Sequence, residues 1–185
     1  MSGKIRVLLV TGSYPPMRCG VGDYTAQLAR AISENGAVDL QVLTSQFSTP
    51  ANFDPPWVRR AMSSWGIDGS SCFLKVLKDL QPNIVHVQYP TQGYQIATAP
   101  GLLILLTRLQ QSLPVIATWH EFPPSSFNRG ALCMYALAAL ARAIIVVRPE
   151  YHVRGVLSAL VGRAPIYHIA NASVIPRVSL SDTER

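Results

Sequence analysis

The feature that most constrains this chain is the alternation of short apolar segments with longer segments of helical periodicity. Seven segments rich in Val, Ile and Leu begin near residues 5, 38, 57, 83, 115, 143 and 166. Their length and composition are typical of buried strands. Strands that alternate with helices predict an α/β fold: a doubly wound, mostly parallel Rossmann-like sheet of about seven strands with helices on both faces.

Helix signals fall between most of these strands. In the first helical segment the apolar residues Val21, Tyr24, Leu28 and Ile32 recur at helical spacing, and Asn35 and Gly36 form a stop signal. Further helices are predicted in CFLKVLKDL, PGLLILLTRLQQSL, RGALCMYALAALA and PEYHVRGVLSAL. The irregular segments 45–56 and 122–130 are expected to be loops.

Composition narrows the class of protein. Of 185 residues, 49% are hydrophobic and only 14% are charged, which suits a sheet covered on both faces. Three widely spaced cysteines without a CxxC pair indicate reduced thiols and a cytoplasmic location. The apolar stretch 131–147 is too short to span a membrane and contains Arg142.

The net charge of +6 comes from 13 arginines and three lysines that are scattered and not interleaved with aromatic residues. Nucleic acid is therefore not an expected partner. A basic surface could attract phosphorylated ligands or the inner face of an anionic membrane, where the chain would be peripheral. It could equally be a solvated surface without a specific partner.

Polar residues cluster where a parallel sheet places its ligands, beyond the carboxyl ends of the strands. They lie in the loop of residues 12–24, at the end of the fourth strand and at the end of the fifth. The last two groups are His86, Gln88 and Tyr89, and then His120 and Glu121. The sequence therefore predicts a site at this edge of the sheet.

Gly20 and Gly22 directly precede the first helix. They could let an anion such as a diphosphate approach the N–H groups of the helix N-terminus, or they could only shape a tight turn. NAD is not expected, because the loop lacks the GxGxxG spacing and the second strand ends without an acidic residue. A Walker loop is also absent.

His120 could bind a substrate hydroxyl, or it could bond only to a neighbouring loop. His86 is interpreted as a satisfied core histidine, and His152 and His168 as structural or exposed residues. Cys19 is interpreted as a bystander, because only Arg18 is a candidate for lowering its pKa. No GxSxG elbow and no HExxH metal motif occurs.

Together, five segments resemble the N-terminal, acceptor-side domain of family 4 glycosyltransferases of the GT-B fold. They are GSYPPMRCGVGDYTAQLARAI, QPNIVHVQYP, PVIATWHEF, ARAIIVVRPE and IYHIANASVIP, within residues 5–176. The resemblance implies a retaining, hexosyl-type transferase that takes a sugar from a nucleotide-sugar and passes it to a sugar or lipid-linked acceptor. The nucleotide-sugar is a co-substrate, and neither a cofactor nor a metal is implied.

The resemblance also implies roles for individual residues. Gly20, Gly22, Asp23 and Tyr24 would form the donor diphosphate and acceptor loop, and His120 would be the catalytic residue in contact with the donor sugar. The acceptor side would be lined by His86, Gln88, Tyr89 and Glu121. Two departures from the family pattern stand out: Cys19-Gly20 replaces a Gly-Gly step, and Arg148-Pro149 follows the valines where a serine is usual.

The expected organisation is a Rossmann-like N-terminal domain over residues 1–177 and the start of a linker over residues 178–185. The donor-binding C-terminal domain would be a missing partner, in the same or a separate chain, so the isolated chain is expected to have little activity. Two alternatives stay open. One is a non-catalytic Rossmann-like binding or interaction domain, and the other is a GT-B sugar-nucleotide epimerase that would use Asp23 and Glu121.

Overall fold

A computed structural model describes residues 3–47, 54–94, 99–121, 129–151 and 164–171. Its strands are β1 (Ile5–Val10), β2 (Val38–Ser45), β3 (Val58–Met62), β4 (Ile84–Tyr89), β5 (Val115–Trp119), β6 (Ala143–Val146) and β7 (Ile166–His168). Its α-helices are α1 (Gly20–Asn35), α2 (Ser70–Leu80), α3 (Ala99–Gln111) and α4 (Arg129–Leu140). The seven strands form one sheet in the order β3-β2-β1-β4-β5-β6-β7, and every neighbouring pair is parallel.

The alternation of side chains along the strands divides the core into two layers. On one face Leu8, Val87 and Trp119 belong to a large apolar cluster that also contains residues of α2, α3 and α4. On the other face Leu9 and Val42 pack with Ala29 of α1. The sheet is therefore covered on both faces, which explains the high apolar and low charged content of the chain.

These observations confirm the predicted doubly wound sheet and its seven strands. The predicted helix over residues 149–160 falls mostly outside the described residues. In the part of the chain that the structure describes, no helix is both long and apolar enough to cross a membrane.

The strand order fixes where a ligand can bind. The chain leaves β1 toward β2 and β3 on one side and returns to β4 on the other side of β1. At such a reversal the loops after the two central strands separate and leave a crevice at their carboxyl ends. Here the crevice lies between the loop after β1, which begins at Thr11, and the loop after β4, which begins at Pro90.

Candidate functional site

A cavity of about 480 Å³ opens at this crevice. Its described lining comes from the start of α1, the loop after β4, the end of β5 and the segment after β7: Cys19, Gly20, Val21, Pro90, Thr91, Gln92, His120, Glu121 and Asn171. A larger groove of about 830 Å³ lies at the opposite edge of the sheet, beside Lys4, Arg6 and Asn83. We favour the first cavity, because ligands of open parallel sheets bind at the carboxyl ends of the strands.

The loops after β1 and β4 are locked together by a close backbone approach. The N–H of Gly93 donates to Oγ of Ser13 over 2.8 Å. A Cβ on Gly12 would lie 2.5 Å from Thr91 Oγ1, and a Cβ on Gly93 would overlap the carbonyl oxygen of Gly12. Only glycine fits at either position, so the cavity wall is held by two residues that the sequence pattern did not single out.

Gly20 and Gly22 turn out to have different surroundings. Gly22 is buried, and a Cβ there would lie 3.1 Å from the backbone of Ser13. Gly20 lines the cavity, and a Cβ there would meet nothing within 4 Å. Neither has a left-handed φ. The close approach of α1 to the β1 loop therefore accounts for Gly22, whereas Gly20 leaves the first turn of the helix open to the cavity.

Cys19 is the N-cap residue of α1 and is 8% exposed, although its side chain makes no direct cap hydrogen bond. Burial acts to raise the pKa of its thiol. The hydroxyl of Ser13 and the backbone N–H groups of Gln92, Gly22 and Val21 outweigh that effect, so the pKa is lowered. The interpretation of Cys19 as a bystander missed these groups, because most of them are backbone atoms that the sequence does not reveal.

The end of β5 brings His120 into contact with β4. Its Nε2 lies 2.7 Å from Oε1 of Gln88, and its ring meets the ring of Tyr24 edge to face at a centroid distance of 5.1 Å. Burial lowers the pKa of His120 to about 4, so the ring is neutral near pH 7. His120 can therefore act on a ligand as a hydrogen-bonding group and not as a cation.

Behind Gln88 the hydrogen bonds continue to His86. Nε2 of His86 lies 3.2 Å from Nε2 of Gln88 and 2.8 Å from Oγ1 of Thr118. Burial, with a smaller effect of His120, lowers the pKa of His86 to about 4. The expectation of a satisfied core histidine agrees with these contacts. His86 is not among the described residues that line the cavity, and its described hydrogen bonds link it to His120 through Gln88.

The other predicted residues are distributed unevenly around the cavity. Glu121 is exposed and lines it, whereas exposed Asp23 is not among its described lining residues. Tyr89 points to the opposite face of β4, where it is 6% exposed and stacks on Tyr94 at 5.7 Å. The structure therefore does not bring Tyr89 to the predicted acceptor side, because an odd step along a strand reverses the face.

Charge is sparse in this cavity. Its described lining contains the carboxylate of Glu121 and no lysine or arginine. Within the described ranges no group of three or more His, Cys, Asp or Glu side chains could hold a metal ion. The positive potential that these residues offer an anion is that of the α1 N-terminus.

A comparison with models of protein families agrees with the family resemblance. A sequence model described as "Glycosyltransferase Family 4" matches residues 19–172. No curated protein matches the chain. One similar solved structure is that of the Bordetella bronchiseptica enzyme WbmH in complex with NAD+, at 12% identity and a TM-score of 0.48. The alignment covers 79% of this chain and 56% of that one, so the chain spans little more than half of the neighbour's length.

Proposed function

Because the chain belongs to glycosyltransferase family 4, we propose that it forms the acceptor-side wall of a sugar-transfer cleft. The reaction is a retaining transfer of a hexosyl group from a nucleotide-sugar to a sugar or lipid-linked acceptor. The observation that carries the proposal is the pairing, in one cavity of about 480 Å³, of an open helix N-terminus with a histidine that is neutral near pH 7.

In this proposal the diphosphate of the donor lies against the first turn of α1. Gly20 and Val21 line the cavity there, and among the described residues a Cβ on Gly20 would meet nothing within 4 Å. The N–H groups of a first helical turn and the helix dipole favour an anion at such a position. Asp23 and Tyr24 follow along α1, and Tyr24 supports the ring of His120.

His120 and Glu121 meet the sugar and the acceptor in this arrangement. A neutral imidazole and a carboxylate can both hydrogen-bond to hydroxyl groups, which are the groups that a hexose presents. His86 and Gln88 act from behind His120, so the acceptor side consists of fewer residues than the sequence pattern indicated.

The described lining lacks the cations that a departing nucleoside diphosphate needs. Stabilising the charge that develops on a leaving group commonly contributes several kcal/mol to catalysis. We therefore propose that most of this charge is met by a donor-binding domain, in the same or a separate chain, and that the 185 residues alone have little transferase activity. We propose no metal and no further cofactor.

An epimerase is less well supported. Its chemistry would require carboxylates that converge on the sugar, and the two candidates are separated here. Glu121 lines the cavity, whereas Asp23 is not among the described lining residues. A purely structural interaction domain would not require a buried Gln88 to hold the side chain of His120 at the cavity wall.

Titration of the chain with UDP-glucose, GDP-mannose and UDP, followed by backbone amide NMR, tests the proposal. We expect millimolar binding with shifts at Gly20, Val21 and His120, and the shift at His120 should require the sugar. Gly20→Glu should abolish binding by placing a carboxylate at the helix N-terminus without a steric clash.

Gly3→Glu is the matched control. A Cβ on Gly3 also meets nothing within 4 Å, and this residue lines the groove at the opposite edge of the sheet. Equal binding by both glutamate variants, or saturable shifts confined to the opposite edge, would contradict the proposed location. The absence of shifts with all three nucleotides would contradict a donor site in this domain.

A further inference from the structure

His120 is joined to Thr118 by hydrogen bonds through Gln88 and His86. The donor and acceptor atoms of these bonds indicate which ring nitrogen of each histidine carries a proton. A carbonyl oxygen can only accept and an amide nitrogen can only donate. Oε1 of Gln88 faces His120, so Nε2 of His120 carries a hydrogen and donates it over 2.7 Å. The amide nitrogen of Gln88 faces His86, so Nε2 of His86 bears a lone pair.

Thr118 is consistent with the same direction. Its hydroxyl lies 2.8 Å from the same Nε2 of His86, and a hydroxyl can donate to that lone pair. In a neutral His86 the proton is then on Nδ1. The two histidines are therefore opposite tautomers, and the amide between them fixes both.

We infer that Gln88 is a positioning residue that holds His120 as the Nε2–H tautomer and leaves its Nδ1 as the ring atom able to accept a hydrogen bond from a ligand hydroxyl. His120 lines the cavity and is 9% exposed, while its Nε2 is engaged inside the sheet face. The hydroxyl assignment rests on the proposed function. The role of Gln88 rests on the geometry alone.

The strand register explains why these residues meet. Gln88 of β4 pairs with Thr118 of β5, and His86 pairs with Ile116, so His86, Gln88 and Thr118 point to the same face. The backbone N–H of His120 donates to the carbonyl of Tyr89 over 2.9 Å, which extends the pairing by one residue beyond β5. Gln88 is completely buried, so its amide has no water to replace either partner.

The test is a long-range ¹⁵N–¹H correlation spectrum of the histidine rings in the 185-residue chain. It reports which ring nitrogen carries the proton and needs no ligand, so it stays interpretable if no nucleotide-sugar binds. We expect protonated Nε2 in His120, protonated Nδ1 in His86, and slow exchange of the His120 ring proton with water. The tautomer of His86 is the more informative result, because free imidazole side chains favour the Nε2–H tautomer.

Two substitutions of Gln88 distinguish a positioning role from a purely structural one. Gln88→Met keeps the length of the side chain and removes the amide, so the His120 ring proton should exchange at least tenfold faster. Gln88→Glu restores an acceptor for His120 and should restore slow exchange. Thr118→Val removes one of the two donors to Nε2 of His86 and should weaken the preference of His86 for the Nδ1–H tautomer, whereas the control Thr107→Val, which removes a described bond to Leu103 of α3, should leave both rings unchanged.

Two results would overturn the inference. One is the reverse pair of tautomers in the unsubstituted chain, with the proton on Nδ1 of His120 and Nε2 of His86. The other is a folded Gln88→Met variant, with wild-type amide dispersion, in which the ring signals and exchange rate of His120 do not change.

Discussion

The packing of the loops after β1 and β4 allows a sharp prediction for Gly93→Ala. A methyl group on Gly93 would overlap the carbonyl oxygen of Gly12 and would come within 2.9 Å of the backbone nitrogen of Ser13. Both are backbone atoms, so no side-chain rotation relieves the clash, and one loop must move. That movement would also break the hydrogen bond from Gly93 to Ser13 Oγ.

The size of the effect follows from these two losses. Overpacking a tight site costs about 1–3 kcal/mol, and the loss of a buried hydrogen bond costs roughly 1 kcal/mol. We therefore expect the free energy of unfolding to fall by roughly 2–4 kcal/mol. For a domain of this size that lowers Tm by roughly 5–15 °C.

Urea unfolding followed by tryptophan fluorescence measures the change, because Trp65 and Trp119 are 4% and 0% exposed in the same large apolar cluster. Gly20→Ala is the control, since its added methyl group meets nothing within 4 Å. That variant should stay within about 0.5 kcal/mol of the unsubstituted protein, as a surface substitution should. A Gly93→Ala protein as stable as Gly20→Ala would refute the close approach of the two loops.

Three further predictions concern protons, thiols and ion pairs. Burial lowers the pKa of His120 from 6.5 to about 4, so His120 is protonated in the unfolded chain before it is protonated in the folded chain as the pH falls. This residue alone should therefore lower the free energy of unfolding by roughly 3 kcal/mol between pH 7 and pH 4. His120→Gln should flatten that slope in denaturant titrations, while His168→Gln, at an exposed residue, should not. The thiol pKa of Cys19 is lowered, whereas burial raises the thiol pKa of Cys133. Iodoacetamide should therefore label Cys19 faster than Cys133 at pH 7, as measured by mass spectrometry. Preferential labelling of Cys133 would contradict this prediction. Asp54→Asn should lower the free energy of unfolding by roughly 1–3 kcal/mol, because it breaks an ion pair at 2.6 Å with a largely buried Arg60. Glu34→Gln, in an exposed pair with Arg30, should lower it by less than about 0.5 kcal/mol. Similar losses for the two variants in thermal unfolding would refute the difference.

Much of the fold could be predicted because strands and helices leave a strong periodic signal. The apolar residues Val21, Tyr24, Leu28 and Ile32 marked α1, and Gly36 ends it with a left-handed φ of 72°, as the stop signal indicated. Continuous apolar runs marked β1 and β6. The edge at which the candidate site lies was also chosen from the alternation, because parallel strands place their carboxyl ends together.

The composition of the site could be predicted only in part. Tyr89 and Gln88 are adjacent in the sequence, and both are polar residues at a strand end, yet they point to opposite faces of the sheet. Thr118 and Ser13 were missed because each acts through a contact with a residue distant in sequence, 32 residues away for the pair Thr118–His86 and 80 for the pair Ser13–Gly93. Such contacts depend on strand order and register, which no local pattern encodes.

Cys19 stands where the family pattern has the first glycine of a Gly-Gly step, and this difference affects how the proposed site would bind its donor. The N–H groups of Val21 and Gly22, which an anion would approach, already surround the sulfur of Cys19 and lower its pKa. A helix N-terminus carries the equivalent of roughly half a positive charge, which is too little to balance a bound diphosphate, and the same N–H groups also contact the sulfur of Cys19. In the proposed site the donor would therefore either share these N–H groups with the side chain of Cys19 or displace that side chain. Since the described lining offers no lysine or arginine, the greater part of the diphosphate charge of the proposed donor would be met from outside it.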